Sequence, residues 1–154
     1  MAVSGSASAE IDAPPGAVWA VVEDVATWAQ WQDTLGTVRA LDQDPTGRVS
    51  RCKVEIDAKV TLIRIELAVS YEAPRRVSWQ REGGDLKAMD GAWTLEDLGD
   101  GRTRVTYELT VDPGGVIGIF LNAEREAKLR EALVDVRPDE LKARVEGAAE
   151  LTAS

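Results

Sequence analysis

Polar and apolar residues alternate with a period of two through most of the middle of the chain. The alternation covers residues 52–58, 63–71, 77–81, 89–95 and 105–111. Such alternation is typical of β-strands that have one face against a core and the other toward solvent. Only turn sequences separate these segments, and Gly99-Asp100-Gly101 is the tightest hairpin signal among them. The middle of the chain therefore predicts an antiparallel meander.

The chain before this meander predicts a strand, two short helices and a further strand. Residues 3–12 alternate weakly and indicate a strand of small residues, which a pair of prolines ends. Four valines then form the apolar face of a short helix over residues 15–25. Thr27 and Gln30 have the spacing of a capping box and predict the start of a second short helix. The sheet then begins at residues 38–41.

The last segment, residues 114–147, has the spacing of one long helix. Its apolar stripe consists of Ile117, Phe120, Leu121, Ala127, Leu129, Ala132, Leu133 and Val136. Roughly 30 helical residues span about 45 Å. Pro138 lies inside this pattern and predicts a kink or a break, with a new segment opening there. A helix of this length needs a surface for its stripe, so we expect the sheet to curl around it and to leave a pocket between them.

Length, charge and residue usage exclude several classes of protein. The 154 residues are expected to form one domain, and a net charge of −9 argues against nucleic acid and anionic membranes as partners. No apolar run approaches the length that a membrane span needs, and the first residues lack a signal-peptide pattern. His is absent, which removes the usual general base and the commonest transition-metal ligand. The single Cys52 excludes an internal disulfide and fits a cytoplasmic protein, for which we expect no metal and no cofactor.

Short motifs of hydrophobic, aromatic, proline and glycine residues follow one another along nearly the whole chain. They are Ile11-Asp12-Ala13-Pro14, Val18-Trp19, Trp28, Trp31, Pro74-Arg75-Arg76-Val77, Gly91-Ala92-Trp93 and Gly101-Arg102-Thr103-Arg104-Val105. In order and spacing they resemble the START-like superfamily, which includes Bet v 1-type ligand binders and bacterial polyketide cyclase/dehydrases. The resemblance implies one α+β domain over residues 1–154 with a helix-grip fold. In this fold a curved antiparallel sheet, here of about seven strands, surrounds a long C-terminal helix, and two short helices follow strand 1.

The predicted register points one set of side chains into the cavity that this fold implies. The predicted ligand-contacting residues are Ile63, Ile65, Leu67, Trp79, Met89, Trp93, Tyr107, Leu109 and, from the last helix, Phe120. Arg81 also occupies an inward-facing position, near the end of its strand. There it either contacts a ligand oxygen or extends into solvent. An alternative explanation for the aliphatic residues of this set is that they form only the hydrophobic core. A register slip of one residue would bring Arg64, Glu66 and Asp90 into the pocket instead.

Tyr107 is the best single candidate for chemistry. In the aromatase/cyclase branch that the chain resembles, the matching strand can present an ionisable side chain to the cavity. A phenol there can donate a hydrogen bond to a developing enolate oxygen. The alternative is a core tyrosine with its hydroxyl at the rim. Cys52 has apolar parity and no His to activate it, so we interpret it as a small hydrophobic residue rather than a nucleophile.

Three functions are compatible with these observations. The first is the binding or transport of a small hydrophobic molecule, such as a polyketide, a lipid or a quinone-like compound, without membrane insertion. The second is a polyketide aromatase/cyclase-dehydratase that acts without a cofactor, with Tyr107 as its acid. The third is a protein-partner module with a filled core. Binding ranks above catalysis because the inward set holds no clear acid/base pair, and the sequence leaves the oligomeric state open.

Overall fold

One antiparallel sheet forms most of the molecule. The strands are β1 (Val3–Ile11), β2 (Leu35–Gln43), β3 (Val49–Asp57), β4 (Leu62–Glu72), β5 (Arg76–Gly84), β6 (Ala88–Gly99) and β7 (Arg102–Asp112). The computed structural model describes residues 3–58, 61–115 and 122–153, and side chains up to residue 147. In it the seven strands lie in the order β1-β7-β6-β5-β4-β3-β2, with every neighbouring pair antiparallel. The predicted meander is therefore confirmed, and β1 joins its far edge beside β7.

Two short helices follow β1, as the sequence predicts. Helix α1 (Pro15–Val22) begins with a proline, whose missing N–H is not needed in the first turn. The second is a 3-10 helix over Val25–Gln30, so the predicted capping box at Thr27 is wrong. Because the chain turns with bonds between residues three apart, both the backbone N–H and the hydroxyl of Thr27 donate to the carbonyl oxygen of Asp24.

The last helix is interrupted just before Pro138, as predicted. It consists of α2 (Ala123–Arg130), a π-helical segment (Glu131–Asp135) and α3 (Arg137–Ala153). At the junction the backbone N–H of Val136 donates to a carbonyl oxygen five residues earlier. A proline has no N–H for the regular helical ladder and fits only near a helix start, which is the place it has in α3.

The buried face of this helix differs from the predicted stripe after α2. Its buried residues are Leu129, Leu133, Val134, Arg137, Pro138, Leu141 and Val145. The extra residue in the π turn rotates the following positions by about 100°, so Arg137 takes the place predicted for Val136. Ala127, also predicted for the stripe, is exposed. The predicted positions Ile117, Phe120 and Leu121 lie outside the described residues.

The predicted register of β3 to β7 is confirmed. Every alternate residue that the pattern pointed inward is buried or half-buried, while the opposite face carries ion pairs. On that outer face the Arg51 guanidinium contacts Glu66 and Glu82, and Arg64 contacts Glu55. The alternative register, with Arg64 and Glu66 in the pocket, is thereby excluded.

Gly91 in β6 makes room for the indole of Trp79 in β5. The two residues pair directly across the strands. A Cβ atom on Gly91 would lie 2.5 Å from the Trp79 ring and 2.8 Å from the carbonyl oxygen of Glu108. The ring cannot move aside freely, because it packs against Trp28 and Tyr107. A side chain at position 91 is therefore incompatible with this packing.

We expect Gly91→Ala to lower the free energy of unfolding by about 1–3 kcal/mol, because a buried ring or a strand must shift. Urea denaturation measures this change. Gly36→Ala is the matched control, since its added Cβ would meet nothing closer than the Glu55 carbonyl oxygen at 3.5 Å. The control should stay within about 0.5 kcal/mol of the wild type. Equal stability of the Gly91 variant and the wild type would contradict the close contact.

Candidate ligand-binding site

A cavity of about 40 Å³ lies between the inner face of the sheet and the last helix. Apolar side chains of the strands and Leu133 of the π segment form most of its wall, and Gln32, Tyr107 and Arg137 bring polar groups to it. A second space of about 20 Å³ lies farther along, beside Ile63. A water molecule needs roughly 10–15 Å³, and sites for drug-sized ligands measure about 300–1,000 Å³. The inner face is therefore nearly closed in this structure.

Five aromatic rings form a continuous row across this inner face. Trp28 meets Trp79 edge-on with ring centres 5.3 Å apart, and Trp79 lies 5.6 Å from Tyr107. Tyr107 in turn contacts Trp93 at 4.6 Å, and Trp93 lies 5.9 Å from Trp31. Tilted and edge-on pairs of this kind each contribute about 0.5–1.5 kcal/mol beyond the burial of their area. The row joins the 3-10 helix and its end to β5, β6 and β7.

Arg137 places a guanidinium beside this row, although only 3% of the residue is exposed. Its Nη1 donates to Oε1 of Glu140 at 2.7 Å, and its Nη2 donates to the hydroxyl of Thr34. The second oxygen of Glu140 accepts the backbone N–H of Asp33 at 2.7 Å. A buried charge is costly unless it is paired, and Glu140 supplies the opposite charge one helical turn away. The pair fixes the direction of the guanidinium relative to the sheet.

Several buried polar atoms around the row have no hydrogen-bond partner among the described residues. They are Nε of Arg137, Nε2 of Gln32 and the indole Nε1 atoms of Trp31 and Trp93. Most buried polar groups in folded proteins are hydrogen-bonded, so each exception needs an explanation. All four of these groups are N–H donors. What this region of the described structure lacks is therefore an acceptor.

The Tyr107 hydroxyl lies in the same region and remains protonated. Burial raises the pKa of this phenol above its ordinary value, while the charge and hydrogen bonding of Arg137 act in the opposite direction. An Arg side chain only donates hydrogen bonds, so the bond between Arg137 and Tyr107 uses the phenol oxygen as acceptor and leaves the phenol proton available for donation in the cavity.

The structure brings half of the predicted ligand-contacting residues to the main cavity. They are Leu67, Trp79, Met89, Tyr107 and Leu109. Ile63 borders the second space, and Ile65 is buried in β4. Trp93 is fully buried and does not border the main cavity, but its ring packs against that of Tyr107, which does. Phe120 lies outside the described residues.

Arg81 turns toward the end of its own strand. Its guanidinium donates to the carbonyl oxygens of Gly84 at 2.7 Å and Asp85 at 3.2 Å. These bonds hold the loop that follows β5, and Arg81 is not among the residues that border the main cavity. A ligand contact by this residue would require these bonds to break.

The ligand-contacting residues predicted from the sequence did not include Arg137 and Gln32, which border the cavity, nor Thr34, whose hydroxyl accepts from the Arg137 guanidinium. One signal was available for Arg137, because Leu133, Arg137 and Leu141 follow one another at the four-residue spacing of a helical face. A charged residue inside such a face indicates a buried ion pair or a site. Gln32 and Thr34 lie in the irregular segment before β2, where no periodic pattern marks an inward side chain.

Cys52 borders the cavity from β3, and removal from water raises the pKa of its thiol from 9.0 to about 11. At pH 8 we therefore expect the thiol to react with a disulfide reagent about 100-fold more slowly than in the urea-unfolded chain, because the thiolate fraction falls tenfold per pKa unit. The sign follows from the pKa, since a raised value favours the neutral thiol. Timed absorbance measurements give both rates. Equal rates would show that solvent and reagent enter the cavity freely.

The fold and this lining define the class as a helix-grip protein with a small internal cavity. A family model described as "Polyketide cyclase / dehydrase and lipid transport" matches residues 2–146. The chain therefore belongs to this family. No curated protein matches the sequence significantly.

Solved structures share the fold at low sequence identity. A protein from Thermus thermophilus superposes with a TM-score of 0.82 at 20% identity, covering 95% of this chain and 99% of that one. A START superfamily protein from Mycobacterium smegmatis gives 0.75 at 19%, with 94% and 98% covered. The Zhui aromatase/cyclase from a Streptomyces species gives 0.74 at 16%, with 95% and 94% covered. At these identities the comparison establishes the fold alone. None of the helices in the described residues has the length and apolar character of a membrane span.

Proposed function

We propose that the protein binds a small hydrophobic molecule, such as a polyketide, a lipid or a quinone-like compound, between the sheet and the last helix. The observation that carries this proposal is the buried guanidinium of Arg137 beside a row of aromatic rings. In this part of the described structure several N–H donors have no hydrogen-bond acceptor. A region that served only as core would be better filled by apolar side chains, since unpaired buried donors are costly. Ligand sites combine an apolar lining with a few placed polar groups in this way.

Binding must widen the cavity, because its volume of about 40 Å³ is far below that of a typical ligand site. In the described part of the chain, no backbone hydrogen bond joins the last helix to the sheet. Side-chain bonds fasten it to the sheet edge, as where Arg130 donates to the Ser4 carbonyl oxygen and Lys142 to that of Glu10. The π segment between α2 and α3 adds a point at which the regular helical ladder is broken.

The hypothesis of a partner module with a filled core has less support. A docking protein needs an exposed apolar patch. Among the described residues, the one large hydrophobic side chain that is strongly exposed is Leu62, at 44%. A single exposed residue is ordinary for a protein surface.

We expect Leu67→Phe to weaken the binding of 1-aminoanthracene, a flat apolar fluorophore, by about tenfold or more, because the larger ring occupies the cavity. Titration of the fluorescence of the probe measures the dissociation constant. Ala68→Leu is the matched control, because Ala68 neighbours Leu67 in β4 but borders the outer face of the sheet. The control should bind as the wild type does. Failure of the wild type to bind any flat apolar probe, or equal binding by both variants, would refute an internal site.

A polyketide aromatase/cyclase is the second candidate function. The observation that favours it is the protonated Tyr107 hydroxyl beside the Arg137 cation in the cavity lining. In an aldol closure the substrate α-carbon, once deprotonated, bonds to a carbonyl carbon, and the carbonyl oxygen takes the phenol proton. No carboxylate among the described residues borders the main cavity to act as the base. Binding therefore remains the first proposal.

Tyr107→Phe separates the two functions. If the protein only binds, the dissociation constant of 1-aminoanthracene, which has no carbonyl group to accept from the phenol, should change by less than about threefold, because the ring and its packing remain. If it cyclises, the rate of ring closure of a linear poly-β-ketone, followed by the absorbance of the aromatic product, should fall by about 100-fold or more. An unchanged rate in an active protein would exclude Tyr107 as the acid.

A further inference from the structure

Three polar side chains from separate parts of the chain meet the main cavity. Gln32 follows the 3-10 helix, Tyr107 lies in β7, and Arg137 begins α3. Gln32 and Arg137 are more than nine-tenths buried, and each has a nitrogen donor without a partner in the part of the chain that the structure describes. The rest of the lining is apolar apart from Cys52, whose thiol is a weak hydrogen-bonding group. The cavity lining therefore combines a small set of hydrogen-bond donors with apolar side chains.

The positive charge of Arg137 is already balanced. Arg137 and Glu140 form an ion pair with 2.7 Å between Nη1 and Oε1, and Glu140 also accepts the N–H of Asp33. A ligand that brought a full negative charge would be buried with no cation of its own among the described lining residues. A neutral acceptor takes the free donors without this penalty. A pure hydrocarbon has no acceptor for these donors.

We propose that Arg137, Gln32 and Tyr107 form a donor site for the carbonyl oxygen of a neutral, flat ketone, and that this site selects ketones over hydrocarbons and carboxylates. This inference rests on the proposed function, because it concerns the same cavity. A carbonyl oxygen has two lone pairs and accepts from two donors at once. The apolar body of the ligand then lies against Trp28 and Trp79, which also border the cavity.

Three probes of one shape test the selection. 9-Fluorenone carries a carbonyl group, fluorene has none, and fluorene-9-carboxylate carries a charge. Displacement of 1-aminoanthracene gives the three dissociation constants. We expect fluorenone to bind about tenfold more tightly than fluorene, which is the value of one well-made net hydrogen bond, and more tightly than the carboxylate.

Gln32→Met removes one unpartnered donor and keeps the side-chain length. This variant should bind fluorenone about fivefold more weakly, bind fluorene as before, and unfold at the same or a higher urea concentration, because a buried unsatisfied group is lost. Gln30→Met is the control, since Gln30 is exposed on the same 3-10 helix. Arg137→Met, made together with Glu140→Gln so that no charge is left unpaired, should abolish the preference for the ketone.

The outcomes distinguish the donor site from the broader proposal that the cavity binds a hydrophobic ligand. Equal binding of fluorenone and fluorene would overturn the donor site while leaving the hydrophobic-ligand function intact. Tightest binding of the carboxylate would overturn the assignment to neutral ligands. Loss of stability in Gln32→Met without a change in ketone preference would make Gln32 a purely structural residue. Binding of none of the three probes would overturn the ketone site together with the proposed function.

Discussion

The buried guanidinium of Arg137 is the interaction on which the helix side of the molecule depends. Taken out of water, this charge must be paired, and Glu140 pairs it while Thr34 accepts its second donor. Glu140 also holds the backbone of Asp33, so two side chains of α3 fasten the helix to the segment that enters β2. The π turn before α3 makes this possible, because one additional residue rotates Arg137 to the inner face.

On the sheet side, the row of aromatic rings restricts which residues the neighbouring strands can carry. Trp79 lies flat over Gly91, where no side chain fits, and the ring of Tyr107 stands between those of Trp79 and Trp93. The rings position the Tyr107 hydroxyl beside Arg137, so the apolar and polar halves of the cavity are built by the same contacts. A family with a shared fold and varied ligands can change such a lining without changing the sheet.

The fold was largely predictable from local pattern. Strict alternation in β4 and β7 assigns each side chain to a face, because a strand has a period of two and a slip by one residue would bury charges such as Arg64 and Glu66. Pro138 marks the helix break because it lacks an N–H. The 3-10 helix was misassigned, since Thr27 and Gln30 match a capping motif whose geometry the tighter turn does not allow.

Periodicity and the chemistry of proline are enough to give the strand order of the meander, the inward faces and the position of the helix break. The donor groups of the cavity and its small volume follow from tertiary packing, which no local pattern encodes. Arg137, Gln32 and Tyr107 are far apart in the chain, and packing alone brings them together. The four-residue spacing of Leu133, Arg137 and Leu141 indicates a buried Arg137, but the residues that surround its guanidinium come from distant parts of the chain.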